Sequence, residues 1–118
     1  MADKTIMTET YLGQGRYADA NNHSIYSPAA NTIVVVTTIV VCETSGNADS
    51  YRIFHDNDGS TYDQSTALYY DKAINANDTH IIHPKIIMDD SSGNLAVRNA
   101  TADRLTFTVY GYVMSEPS

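Results

Sequence analysis

A chain of 118 residues with seven basic and fourteen acidic side chains carries a formal charge of −7; this length makes one domain with a real core and leaves no material for a second. The basic residues are scattered singly, which excludes the Lys/Arg stripe that displaces counterions from nucleic-acid phosphates, and no apolar run reaches the about 18 residues of a membrane span. The opening Met1-Ala2-Asp3-Lys4 lacks the basic and apolar regions of a secretory signal, so the expectation is a soluble protein made and kept in the cytosol.

Residues 1–22 hold isolated apolar positions (Ile6, Met7, Tyr11, Leu12), two glycines (Gly13, Gly15) and a small polar run from Ala18 to Asn22. This predicts an arm outside the sandwich, either mobile or pinned against a neighbouring chain and then ordered only by that partner. The two glycines lack the Lys and the strand-to-helix setting of a phosphate loop. His23–Ser27 reads as a first strand, and Pro28-Ala29-Ala30-Asn31 as a turn.

Ile33–Glu43 then reads as the central strand, because β-branched residues dominate and both faces are apolar. Ile33, Val35, Ile39 and Val41 fall on one face by simple alternation, with Val34, Val36 and Val40 on the other. The run exceeds the usual strand length, which predicts a bulge or bend near Thr37-Thr38. Cys42, the only cysteine, is expected to be a buried, inert thiol at its end.

Thr44–Asp49 is a predicted loop and Ser50–His55 a strand with Tyr51, Ile53 and His55 on one face. The loop Asp56–Asp63 contains Asp-x-Asp-Gly, but counted from Asp56 its sixth and twelfth positions are Thr61 and Ala67, where an EF-hand requires Gly and a bidentate Glu. An Asn-Asp-Gly turn explains the same residues. Thr66–Tyr70 is a further short strand. His80–Met88 is apolar but interrupted by Pro84, which marks an edge or a kink. Leu95–Arg98 and Arg104–Met114 complete the set; the last is the clearest alternating strand, with Leu105, Phe107, Val109, Gly111 and Val113 on one face.

About seven strands separated by Gly/Asn/Asp/Ser turns, with no helical period, predict an all-β protein: a single antiparallel β-sandwich over residues 23–118, immunoglobulin-like or jelly-roll, preceded by an N-terminal arm over 1–22. Its core is expected to contain Ile33, Val35, Ile39, Val41, Ile53, Leu105, Phe107 and Val109.

No catalytic, cofactor or metal site is expected. His80 and His83 are three apart, so a strand sends them to opposite faces and prevents joint ligation; both, with His55, read as surface histidines. No nucleophile elbow is present and no spacing pairs a nucleophile with a base. Asn22, Asn77 and Asn99 begin sequons that read as turn residues. Nine tyrosines without a tryptophan suit an interface, since Tyr joins a large apolar ring to a hydroxyl. Tyr11, Leu12, Gln14, Arg16 and Tyr17 of the arm and Tyr110 and Tyr112 of the last strand are the candidate interface residues.

Tyr26-Ser27-Pro28 before Asn31-Thr32, Val41–Gly46, Thr66–Asp71, Asn77-Asp78-Thr79, Leu95–Arg98 and Leu105–Gly111 form an ordered pattern of strand and turn residues over residues 11–113. It resembles that of small β-sandwich structural proteins in the virions of tailed bacteriophages. The resemblance implies a virion protein assembled in the host cytoplasm, with the major capsid protein or other virion proteins as partners. A capsid cement (decoration) protein fits the small size, acidic solubility and arm; a homo-oligomer, with a trimer favoured, would suit three-fold sites of a shell. The alternatives are a neck, tail or fibre component, or a carbohydrate-binding module whose tyrosines stack on sugars.

Overall fold

The computed structural model describes residues 8–89 and 91–115. These form nine strands and no helix: β1 (Thr10–Arg16), β2 (His23–Tyr26), β3 (Thr32–Glu43), β4 (Asp49–Asp56), β5 (Ala67–Ile74), β6 (Thr79–Ile82), β7 (Ile86–Met88), β8 (Asn94–Asn99) and β9 (Leu105–Ser115). One sheet runs β1-β9-β3-β6 with β7 also against β3, and the other runs β2-β8-β4-β5. All pairings are antiparallel, and the two sheets pack as a sandwich, as the strand and turn pattern predicts.

β3 is the axis of the larger sheet. It pairs with β9 along its whole length, and its other edge is divided between β7, opposite Val34–Val36, and β6, opposite Ile39–Cys42. The division follows from Pro84, which lacks the N–H a ladder needs and breaks the apolar run 80–88 into two short strands. The expected bulge is present between Val36 and Thr38. An extra residue on one strand reverses the side-chain alternation beyond it, so Val34 and Val36 share the inner face with Ile39 and Val41, all four fully buried. Ile33 and Val35, expected in the core, point outward and are half-exposed. Ile53, Leu105, Phe107 and Val109 are buried as expected, joined by Tyr51, Ile74, Met88, Leu95 and Val97.

Thr10–Arg16, inside the expected arm, forms the edge strand β1 against β9, from Thr10 opposite Gly111 to Arg16 opposite Thr106. The apolar residues of this stretch are few because an edge strand with one open face needs few: a bulge between Tyr11 and Gly13 leaves Leu12 packed against the core. Tyr17 folds back so that its ring lies where a side chain on Gly15 would be, 2.4 Å from a Cβ built there. Ile6 and Met7 lie outside the described residues. Gly111 has a similar reason to be glycine: a Cβ there would come within 2.1 Å of the Val35 carbonyl oxygen beside the β3 bulge.

Glu43 closes the inner face of β3. Its side chain is buried at 2% exposure and accepts from the Ser45 amide and hydroxyl (3.0 and 2.6 Å), and from the Gly46, Asn47 and Asn77 amides (2.8, 3.2 and 3.2 Å). Burial alone raises its carboxyl, and these hydrogen bonds outweigh burial and hold it at about 2. One carboxylate thus fastens the β3–β4 turn to the turn before β6.

Candidate functional site

The outer face of the larger sheet follows from the register. Residues opposite one another in an antiparallel pair lie on the same side, so the outward positions are Tyr11, Gln14 and Arg16 on β1; Thr106, Thr108, Tyr110, Tyr112 and Met114 on β9; Ile33, Val35, Thr38, Val40 and Cys42 on β3; Thr79 and Ile81 on β6; and Ile87 on β7. Tyr11, Ile81 and Ile87 are 59%, 64% and 56% exposed. Tyr11 stands edge-on to Tyr110 with ring centroids 6.4 Å apart, and Tyr112 lies directly opposite Val35. The Gln14 amide donates to Thr108 Oγ1 at 3.0 Å.

Two formally charged side chains stand on this side among the described residues: Glu9, just before β1, whose carboxylate accepts from the Thr37 hydroxyl, and Arg16 on β1. Arg16 stands at a corner, paired with Asp103 at 3.6 Å and donating to Thr44 Oγ1 at 3.0 Å. The opposite face of the sandwich differs in kind. Arg52 and Arg98 are neighbours there across β4 and β8; Arg52 binds Asp71 at 2.7 Å and lies 3.9 Å above the Tyr70 ring. One outer face carries neighbouring guanidinium groups, and the other is mainly apolar, aromatic and hydroxylic, with Arg16 and Glu9 on its β1 side.

Of the seven residues singled out from sequence, Tyr11, Gln14, Arg16, Tyr110 and Tyr112 share the outer face of the larger sheet, whereas Leu12 and Tyr17 pack against the core, with Tyr17 stacked on His23 at 4.1 Å. Burial raises the Tyr17 hydroxyl above its ordinary range. Val35, Ile81 and Ile87 belong to the same face and were missed; carrying the bulge through to the residue parity of β3 would have found Val35. Cys42, expected to be buried, is on this face and half-exposed.

The titratable residues read as possible ligands are engaged in structure. His80 points inward, its Nδ1 2.8 Å from the Tyr51 hydroxyl, while His83 lies on the other side, 3.4 Å from Thr38 Oγ1. His55 also points inward, so neither it nor His80 is the surface histidine expected; desolvation lowers the His55 pKa. Its Nε2 is buried without a hydrogen-bond partner, beside an open cavity of about 380 Å³ between β5 and β7. In the Asp56–Asp63 loop, Asp56 accepts from the amides of Gly59 and Thr61 (3.1 and 2.8 Å) and Asp58 from those of Ser60 and Thr61 (both 2.9 Å). Hydrogen bonds, the Thr61 hydroxyl first, hold the Asp58 carboxyl at about 2. Gly59 has φ +79°, the left-handed turn conformation that explains its place here. No group of three or more His, Cys, Asp or Glu among the described residues is arranged to hold a metal ion. Asn99 is wholly buried and donates to the Thr101 carbonyl at 2.5 Å.

No family model matches the sequence, and no curated protein matches it. Among solved structures, the chain is similar to one in the structure of infectious bursal disease virus Gx strain, with a TM-score of 0.44 and 10% identity over 94% of this chain and 31% of that one. It therefore spans under a third of that neighbour's length.

Proposed function

We propose that the protein is a non-enzymatic structural component of a tailed-bacteriophage virion, a capsid cement protein that binds the head shell and stabilises it. The observation that carries this reading is the outer face of the larger sheet: a broad surface of Tyr, Ile, Val and Thr whose two charged groups, Arg16 and Glu9, come from the β1 side. Interfaces are depleted of charge at their centres and enriched in Tyr, and an exposed apolar face of this extent on a small protein marks a contact surface. The resemblance to small β-sandwich virion proteins supports the same reading and supplies the partners, the major capsid protein or other virion proteins. Net negative charge keeps the free chain soluble before assembly.

Mass spectrometry of purified particles, with electron microscopy of the intact virion, tests the assignment. A copy number close to that of the shell protein, with density on the head surface, is the expected result. A far smaller number located at the neck, tail or fibre, or absence from the particle, overturns the cement assignment.

A further inference from the structure

We propose that the outer face of the smaller sheet holds a binding site for a saccharide that carries a carboxylate, with Arg52 and Arg98 on the carboxylate and Tyr70 beside the sugar ring. The site lies on the opposite side of the sandwich from the proposed shell contact, so it goes beyond that reading and does not depend on it.

Arg52 and Arg98 stand directly opposite one another across β4 and β8, where two like charges destabilise a sheet unless something neutralises them. The chain supplies one counter-charge for the pair. Asp71 spends both carboxylate oxygens on Arg52, accepting from Nε at 2.7 Å and Nη2 at 3.2 Å. These hydrogen bonds hold its carboxyl below the ordinary range, and the Arg98 charge adds to the effect through space. Arg98 makes no hydrogen bond or ion pair among the described residues. Two guanidinium groups and one carboxylate leave one positive charge unanswered on a chain of −7, and the planar donors of Arg98 match a carboxylate in shape. A hollow of about 100 Å³ opens between Ser50, Arg52, Asp71 and Arg98, about three times the share of liquid volume of one water. It admits a carboxylate and excludes a sugar ring.

The register of β5 fixes the guanidinium of Arg52. Tyr51 lies opposite Lys72 and Ile53 opposite Tyr69, so Arg52 faces two residues, Tyr70 and Asp71, across a bulge. Asp71 takes φ 54°, the left-handed conformation that few residues other than Gly, Asn and Asp adopt. The bulge sets the Asp71 carboxylate against Arg52 while the Tyr70 ring centroid lies 3.9 Å from it. Arg52 is thereby held in place before any ligand arrives, as bulges next to binding sites do when they re-aim a side chain.

The same Arg52 lines a second, larger cleft of about 520 Å³ with Tyr62, Asp63, Gln64, Ser65 and Tyr70, so one ligand can reach from the hollow into the cleft. Tyr70 is 41% exposed and offers an apolar ring. Gln64 makes no hydrogen bond among the described residues, and Asp63 uses only Oδ1, for the Ser65 amide and hydroxyl. An aromatic ring flanked by a free amide and a free carboxylate oxygen suits a ring bearing C–H and hydroxyl groups. The Asp63 charge opposes a polyanion such as a nucleotide phosphate.

Titrating the isotope-labelled full chain by NMR with glucuronate, galacturonate and N-acetylneuraminate, beside glucose, galactose, acetate and a triglutamate peptide, tests the site. At least one acidic sugar should bind with millimolar affinity, shifting amides of β4, β5, β8 and residues 62–65. The neutral sugars should bind about tenfold or more weakly, and the affinity of the acid should fall as salt rises. Arg98→Gln should weaken the acid about tenfold and Tyr70→Ala about fivefold, while Ile81→Ser, on the other outer face, leaves it unchanged; the spectra themselves show that the variants fold. Binding of none of the acidic sugars, acetate or triglutamate binding as tightly as the best of them (an adventitious ion only, or a peptide site), insensitivity to Arg98→Gln or to Tyr70→Ala, or shifts confined to the larger sheet overturns the proposal. Particle copy number is measured independently, so the cement assignment stands or falls separately.

Discussion

Truncating Phe107 to Ala tests the inward parity of β9 together with the closure of the sandwich by β1. Phe107 is fully buried, opposite Val41 on one side and Gly15 on the other, and its ring meets Tyr51 edge-on at 6.1 Å and Tyr17 at 6.5 Å. No backbone collapse can refill the space, because β3 and β1 hold the strand on both edges, so the full cost of about 3–5 kcal/mol for a buried Phe→Ala is expected. With about 2.1 cal/mol/K of unfolding entropy per residue over 118 residues, the entropy at the midpoint is about 0.25 kcal/mol/K, and the Tm should fall by about 12–20 °C. Tyr112→Ala, five residues along the same strand but outward, should change stability by less than about 1 kcal/mol. Thermal and urea unfolding followed by circular dichroism provide the comparison, at concentrations low enough that self-association adds no mass-action stabilisation. Equal losses at the two positions, or a Phe107→Ala protein within about 1 kcal/mol of its parent, would refute the assigned faces.

Glu43→Gln should flatten the acid limb of the stability curve. Glu43 has a folded-state pKa of about 2 against an ordinary 4.5, so its contribution is fully present above pH 4.5 and is lost as pH falls through about 2; an unchanged slope between those values in acid titration melts contradicts the role given to the carboxylate. Chelator treatment should leave the Tm unaltered, because Asp56 and Asp58 already spend their oxygens on backbone amides; a shift of several degrees would require an ion in that loop. Deleting residues 1–8 should preserve the melting curve, whereas deleting 1–22 strips β1 from β9 and uncovers Phe107, with a large fall in Tm. Equal curves for the two truncations would show that β1 is dispensable.

The strands legible in the sequence were those whose alternation is uninterrupted. β9 and the inward set of β4 follow directly from period two, and Pro84 announces the break between β6 and β7. β1 was not legible, because an edge strand with glycines at 13 and 15 reads by composition as an arm; its order comes from pairing with β9, a long-range contact that leaves no local signal. The face of Ile33 and Val35 was lost for a different reason. Thr37-Thr38 signals the bulge, but alternation counted straight through it assigns the residues before it to the wrong side. Tyr110 and Tyr112 reached the outer face because the alternation of β9 is unbroken, whereas Tyr51 and Tyr17 pack inward, so tyrosine by itself carries no directional bias.

The bulge in β3 also bears on how the chain finds its native state. A strand with one apolar and one polar face is guarded against slippage, since a shift by one residue would bury the polar set. β3 has aliphatic residues on both faces, so a slipped β3 would still present Ile33, Val35 and Val40 to the interior and lose little hydrophobic burial. Correct alignment is selected instead by contacts to segments that cannot shift with it: the Gly111 backbone packed against the Val35 carbonyl, and the Asn77 amide bound to the Glu43 carboxylate at the end of the strand. Both depend on partners distant along the chain, and the selection therefore comes late in folding. Refolding should accordingly pass through a misregistered, slowly correcting population, and Glu43→Gln, by removing the lock, should enlarge that population more than it destabilises the finished fold.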